Sequence, residues 1–258
     1  MSTVVLCSNT PPYEIGAAAL YHFLIKDSVV VQMSTVDSRS FEKTVSSIHK
    51  TGITKPCQLI VLGTYWNDCL TQLLNIFDTN CVLYCFGKFS GEHAVFGERC
   101  RVVEGVDGLG PAAFMFKMAK ENVSSLCENN FTKVISLIDD RVFNQNIVDS
   151  QPFYTGMFNY DSDDVTLFDK FGKLFKEEYI LEDVIKSGRL IAVSQVKMVR
   201  ERVLKNSKRV NLSDGTRAAV SEGTELVSLT HDALHEKYPD AQITLILNMK
   251  FGSTALYS

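Results

Sequence analysis

Short apolar runs alternate with helical patterns through the first third of the chain. Four runs rich in β-branched residues predict strands at 3–7, 28–33, 58–62 and 81–84. Between them, apolar residues at helical spacing predict helices at 15–25, 41–49 and 68–77. This alternation is typical of βαβ units. It predicts an α/β fold with a doubly wound, mostly parallel sheet of Rossmann-like type.

The middle of the chain is predicted to be helical. Apolar spacing indicates helices at 108–120 and 130–138, and the second ends in Asp139-Asp140-Arg141. A long helical region follows over 166–207, and we expect it to break near Ser187-Gly188. Its last part is a candidate for a long helical connector between two domains.

The pattern changes after residue 207. Two short segments, RVNL and RAAV, flank Asp214-Gly215, a dipeptide that favours a tight hairpin turn. The remaining predicted elements are a helix at 226–237 and strands at 243–249 and 253–257. We therefore expect an α/β domain with its connector helix over 1–207 and a small mixed α/β domain over 208–258.

Composition and charge narrow the classes of partner. The 258 residues are 45% hydrophobic and 22% charged, with a net charge of −4. This acidic balance argues against a broad surface for nucleic acid or anionic membrane. The amino-terminal segment has neither a basic region nor a long apolar stretch, so we expect no signal peptide and no membrane contact. One local basic surface, at the end of the long helix, stays open as a contact for an acidic partner or nucleic acid: Arg200, Arg202, Lys205, Lys208 and Arg209.

The cysteines indicate a reducing, cytoplasmic compartment. All seven are scattered, and most lie inside apolar runs, as small hydrophobic residues do in reduced proteins. Cys81 and Cys85 form a CxxxC pair, but no second Cys or His pair has the spacing of a metal site. We therefore expect no structural zinc.

Aromatic residues follow the predicted strands at the positions where ligands usually bind. In an open α/β sheet, ligands bind beyond the carboxyl ends of the strands. Here Tyr13, Tyr65, Trp66 and Phe86 lie in those segments. Two readings remain open: the rings fill the cleft between the loops, or they line a groove for a ligand or partner. Under the first reading, at least two of the four rings are largely buried on the face that holds Asp140.

The order of elements and several local strings resemble the DHH phosphoesterase superfamily, in particular its oligoribonuclease-like and cyclic-nucleotide phosphodiesterase-like members. The strings are VVLCSNTPPYEIGAAALYHFL, LIVLGTYWNDCLTQLL, CVLYCFGKF, DGLGPAAFMF, LIDDRVFN and SLTHDALHEKYPDA. The resemblance extends over nearly the whole chain. It implies a DHH-like first domain and a truncated DHH-associated second domain. Enzymes of this family use Asp and His side chains to hold two Mn²⁺ or Mg²⁺ ions.

Most of the metal-ligand positions implied by the resemblance carry other residue types in this chain. The substituted positions are Ser8 and Tyr13 in the first motif, Gly63 in the second, and Cys85-Phe86-Gly87 in place of the Asp-His-His triplet. Lys88, which usually follows that triplet, is retained, and so is Asp140 before Arg141. Asp140 is thus either a residual metal or phosphate site, or part of a charge cluster that stabilises the domain's own loops.

These substitutions favour a catalytically inactive homologue, a pseudoenzyme that needs no cofactor. Its expected role is a structural or interaction subunit of a larger cellular or viral assembly, with a protein or a second copy as partner; a nucleotide or nucleic acid stays open as a ligand. The alternative is an active phosphodiesterase or oligoribonuclease with a remodelled Mn²⁺ or Mg²⁺ site. The candidate partner or ligand surface consists of Tyr13, Tyr65, Trp66, Phe86, Lys88 and Arg141.

Overall fold

The computed structural model describes strands and helices over most of the chain. The described residues are 3–8, 11–33, 38–54, 56–63, 67–86, 97–105, 109–123, 131–143, 145, 147–161, 164–222, 226–248 and 253–257. The chain divides into two units, Met1–Gly188 and Arg189–Ser258. Each unit has its own β-sheet and its own apolar core.

Five strands form a parallel sheet in the first unit. They are β1 (Thr3–Ser8), β2 (Ser28–Met33), β3 (Gln58–Leu62), β4 (Asn80–Phe86) and β5 (Cys100–Gly105). Their order is β2-β1-β3-β4-β5, and every neighbouring pair is parallel. The predicted parallel sheet is therefore confirmed. Strand β5 was not predicted, because Arg101 and Glu104 interrupt its apolar pattern at the edge of the sheet.

Helices cover both faces of this sheet. They are α1 (Pro12–Leu24), α2 (Ser38–Lys50), α3 (Asn67–Phe77), α4 (Pro111–Asn122), α5 (Thr132–Phe143), α6 (Ser150–Asn159) and α7 (Leu167–Phe175). Val5 and Ile60 belong to the core with α1, α4, α5, α6 and α7, whereas Val4 and Leu59 belong to the core with α2 and α3. Because successive residues of a strand face opposite sides, burial on both faces explains the uninterrupted apolar runs.

A long helix, α8, covers Leu181–Asn206, so the expected break near Ser187-Gly188 is wrong. The interruption lies before it, between the end of α7 and Leu181. Gly188 instead allows α8 to pack closely against α6. A Cβ added there would lie 1.8 Å from the carbonyl oxygen of Pro152 on α6, and one on Gly156 would lie 2.1 Å from that of Val184 on α8. The two glycines therefore allow α6 and the first part of α8 to approach each other.

Replacing Gly188 by alanine is expected to lower the free energy of unfolding by about 2 kcal/mol. The new methyl group would overlap a backbone carbonyl, and α6 would have to shift to relieve the overlap. Gly172 in α7 provides the control, because a Cβ there meets no atom within 4 Å. Gly172→Ala should raise stability by about 0.5 kcal/mol through helix propensity. Chemical denaturation measures both values, and equal effects would contradict the packing role.

Four strands and one helix form the second unit together with the end of α8. They are β6 (Lys208–Asn211), β7 (Arg217–Glu222), α9 (Val227–Lys237), β8 (Ile243–Asn248) and β9 (Ser253–Tyr257). The order is β6-β7-β8-β9, with only the β7–β8 pair parallel among these strands. The small mixed domain and its hairpin are confirmed. Gly215 in the hairpin turn has φ +86°, a conformation that favours glycine.

The second unit begins earlier in the chain than the predicted boundary at residue 207. The two units divide after Gly188, inside α8. The reason is that Val199 and Val203 are buried in the core of the second unit, beside Leu234 and Ile246. The assignment of 208–258 as a DHH-associated domain stays a prediction.

Candidate functional site

A buried carboxyl group lies at the carboxyl ends of β1 and β3. Glu14, in the first turn of α1, is only 1% exposed. Its Oε2 accepts a hydrogen bond of 2.8 Å from the backbone N–H of Ser8, the last residue of β1. Burial raises the pKa of Glu14 to about 7, and the bond from Ser8 opposes this shift. The structure thus places an acidic group at the edge where the sequence predicted a former metal site.

Gly63 follows β3 and lies against the same carboxyl group. Its backbone has φ +109°, a conformation that residues with a side chain rarely adopt. Its N–H donates a hydrogen bond of 2.9 Å to the carbonyl oxygen of Tyr84. A Cβ added to Gly63 would lie 3.1 Å from Oε1 of Glu14. The backbone and the available space at this position therefore both favour a residue without a side chain.

Cys85 lies near the end of β4 and is completely buried. Its side chain belongs to the apolar core with α2 and α3, and its neighbour on β5 is Glu104. Burial raises the pKa of the Cys85 thiol to about 12, and Cys100 and Glu104 add to the shift. The side chain of Phe86 and all of Gly87 and Lys88 lie outside the described residues. For this motif the structure therefore tests Cys85 alone.

Asp139 caps another helix from its place on α5. It is 7% exposed, and its two carboxylate oxygens accept hydrogen bonds from the backbone N–H groups of Ala112 and Ala113, at 2.8 and 3.0 Å. Both N–H groups lie in the first turn of α4, where N–H groups have no acceptor within the helix. An acidic side chain supplies acceptors for them and suits the positive end of the helix dipole. Burial raises the pKa of Asp139 to about 6, while the two hydrogen bonds oppose the shift. A Cβ on Gly110 would lie 2.1 Å from the Asp139 carboxyl carbon, so this cap needs glycine at the start of α4.

Asp140 also bonds to the backbone of its own unit. It is 6% exposed, and its Oδ1 accepts a hydrogen bond of 3.2 Å from the N–H of Ile147. This contact supports the reading in which the acidic pair stabilises the domain's own loops. Neighbouring Arg141 is exposed.

Tyr154 on α6 is hydrogen-bonded to α5, the helix that carries Asp139 and Asp140. Its hydroxyl donates to the carbonyl oxygen of Ile138 at 2.9 Å. The pKa of Tyr154 is raised, first by burial and then by nearby Asp139; Arg141, Tyr13 and Asp140 also act on it electrostatically. Ser8 and Gly63, by contrast, lie around Glu14.

The predicted filling of the cleft by aromatic rings stays a prediction. Tyr13 is half-buried. Tyr65, Trp66 and the side chain of Phe86 lie outside the described residues. Among the side chains that the structure describes, no three His, Cys, Asp or Glu form a group that could hold a metal ion. No helix in the described ranges is long and apolar enough to cross a membrane.

Much of the basic surface at the end of α8 is neutralised within the second unit. Arg200 pairs with Glu236 at 2.7 Å, and Arg202 lies 3.9 Å from Glu222. Arg209 pairs with Asp240 at 2.9 Å. These pairs reduce the charge that this surface offers to nucleic acid.

Sequence reasoning missed the importance of Glu14 and Asp139. The available signal for Glu14 was an acidic residue in the first turn of an otherwise apolar helix, directly after Tyr13. Asp139 was noted only as a member of a charged cluster. The partners of its carboxylate, Ala112 and Ala113, are remote in sequence, so no local spacing indicates the cap.

Several solved structures are similar to this chain. A DHH domain from a protein described as a member of a family of ribosomal proteins is 12% identical, with a TM-score of 0.44, covering 95% of this chain and 71% of that one. An uncharacterized protein from Helicobacter pylori G27 is 11% identical, with a TM-score of 0.38, covering 100% of this chain and 85% of that one. No protein-family model and no curated protein sequence matches the chain. CDC45 from Entamoeba histolytica is 8% identical, with a TM-score of 0.45, covering 99% of this chain and 84% of that one.

Proposed function

We propose that the protein is a catalytically inactive homologue of the DHH phosphoesterases that acts as a structural or interaction subunit. The observation that carries this proposal is the geometry of Gly63. Where the resemblance implies a metal-binding aspartate, the backbone has φ +109° and the space beside it is occupied by the Glu14 carboxyl group. An aspartate there would be strained and would bring a second carboxylate against Glu14.

Two further positions support the loss of the metal pair. Cys85 lies in an apolar core, and its thiol is held in the protonated form by burial. Asp140 directs one carboxylate oxygen to the backbone of Ile147. A pair of hard divalent cations needs several oxygen or imidazole ligands to replace its water shell. We accordingly propose that the protein uses no metal cofactor.

Glu14 is the observation that favours the alternative, an active phosphodiesterase with a remodelled metal site. Its carboxyl group is buried at the sheet edge, near the position of the family's first motif. If Mn²⁺ or Mg²⁺ were bound there, Glu14 would be the carboxylate to hold it. The two functions therefore predict different effects of replacing Glu14: loss of metal-dependent hydrolysis for the active enzyme, and no change in hydrolysis for the inactive homologue.

Hydrolysis assays distinguish the two functions. The purified protein is incubated with short oligoribonucleotides and cyclic dinucleotides in the presence of Mn²⁺ or Mg²⁺. We expect no product above that of the buffer control, and no difference between the wild type and the Glu14→Gln or Asp140→Asn variants. Metal-dependent hydrolysis that is lost in either variant, but kept in the exposed control Glu42→Gln, would establish the active alternative.

The interaction role is proposed for the surface around Tyr13 and Arg141, extended by Tyr65, Trp66, Phe86 and Lys88. Arg141 is exposed and Tyr13 is half-buried, so both side chains can contribute to such a surface. We propose a cytoplasmic protein partner or a second copy for this role. Purification from the native source, with and without Arg141→Glu, would show whether a co-purifying molecule depends on this surface.

A further inference from the structure

Four large apolar side chains are exposed on the part of α8 that belongs to the second unit. Leu190 is 67% exposed, Val193 69%, Met198 51% and Leu204 64%. Val199 and Val203, which point to the unit's own core, are 1% and 2% exposed. At about 100° per residue, Leu190, Val193 and Leu204 share one side of the helix and Met198 lies on another. An exposed helix face is usually polar, so apolar residues that share such a face favour a surface that another molecule covers.

Five residues form a narrow stripe on this exposed face. At about 100° per residue, Leu190, Val193, Lys197, Glu201 and Leu204 fall within about 80° of the helix circumference. We call these five residues the α8 stripe. The stripe carries apolar residues towards both of its ends and two opposite charges, Lys197 and Glu201, between them. Such a pattern suits a helix that runs in the opposite direction.

We propose that the α8 stripe pairs with the same stripe of a second copy of this chain, antiparallel around a two-fold axis. When Lys197 of one copy lies level with Glu201 of the other, Leu204 falls between Leu190, Val193 and Lys197 of its partner. This is knobs-into-holes packing, and the two-fold symmetry repeats each contact. The arrangement covers the apolar residues at both ends of the stripe.

Charge complementarity selects a second copy over other helical partners. Lys197 and Glu201 are both exposed and carry opposite charges. An acidic partner helix would satisfy Lys197 but repel Glu201, and a basic helix would do the reverse. A surface with both charges in the opposite order satisfies the two residues, and the antiparallel stripe itself provides that order.

This inference goes beyond the interaction role proposed above, because it places a second copy on α8 and not on the surface around Tyr13 and Arg141. Its test measures oligomeric state alone, so its failure would leave the proposal of an inactive metal site unaffected. The stripe is about 21 Å long, which is short for a helical pairing. We therefore expect a dimer that dissociates on dilution.

Sedimentation velocity over a concentration series tests the pairing in the full-length protein. We expect a concentration-dependent dimer in the wild type. Lys197→Glu and Glu201→Lys should each weaken dimerisation about tenfold, because each places like charges opposite one another. The double variant Lys197→Glu/Glu201→Lys should restore the wild-type constant, and Leu204→Ser should weaken the dimer.

Two controls accompany the series. Glu42→Lys, an exposed change on α2 in the first unit, should leave the dimerisation constant unchanged. Thermal melts should show that each stripe variant remains folded, as its exposed positions lead us to expect. A monomer at every concentration would overturn the proposal. So would a dimer that is insensitive to Leu204→Ser, or a double variant that dimerises no better than the single ones.

Discussion

Replacing Cys85 by aspartate is expected to lower the free energy of unfolding by about 4 kcal/mol in metal-free buffer. The Cys85 side chain is completely buried in an apolar core, and its neighbour on β5 is already acidic Glu104. A carboxylate without a compensating charge at such a position costs several kcal/mol. Denaturant unfolding in the presence of a chelator measures this loss.

An exposed cysteine provides the matched control for this change. Cys57 is exposed, so Cys57→Asp should change the free energy of unfolding by less than about 0.5 kcal/mol. If Cys85→Asp were as stable as the wild type without metal, the position would still accept the aspartate of the family motif. That result would contradict the proposed loss of the metal pair.

The second large effect is the pH dependence that Glu14 gives to stability. The pKa of Glu14 is raised from 4.5 to about 7 in the folded protein, chiefly by burial. An acid with a raised folded pKa binds its proton more tightly in the folded state than in the unfolded state. Its contribution to stability is therefore complete below about pH 4.5 and is lost as the pH rises to about 7.

Glu14→Gln should remove this dependence, since an amide can still accept the hydrogen bond from Ser8. As the pH rises from 4.5 to 8, the difference in the free energy of unfolding between the variant and the wild type should shift by about 3 kcal/mol in favour of the variant. Glu42 on α2 is exposed and provides the control. The free energy of unfolding of Glu42→Gln should differ from that of the wild type by the same amount at every pH. A constant difference for Glu14→Gln as well would mean that folding does not raise the pKa of Glu14.

Strands β1 to β4 of the first sheet could be predicted because their burial on both faces leaves a continuous apolar run. Elements with a weaker local pattern could not. Helix α6 contains Gly156, a poor helix former, and this glycine lies where α6 approaches Val184 on α8. Gly188 looked like a helix break, because nothing in the local sequence shows that α6 passes close to it.

For the candidate site, the resemblance to the family motifs singled out Ser8, Gly63 and Asp140, and their role as former ligand positions stays a prediction. Their surroundings could not be predicted, because burial depends on segments far apart in the chain. The proximity of Glu14 to Gly63 arises only when β1 and β3 pair. The partner of the Asp140 carboxylate is the backbone of Ile147, which no side-chain pattern indicates.

Titration of Mn²⁺ into the metal-free protein, followed by the electron paramagnetic resonance signal of free Mn²⁺, tests most directly whether the former ligand positions still hold a metal pair. We expect the signal to match that of Mn²⁺ in buffer, and to be the same for wild type, Glu14→Gln and Asp140→Asn. Binding of a pair of Mn²⁺ ions to the wild type, lost in either variant and kept in Glu42→Gln, would contradict the proposal that this protein is an inactive homologue.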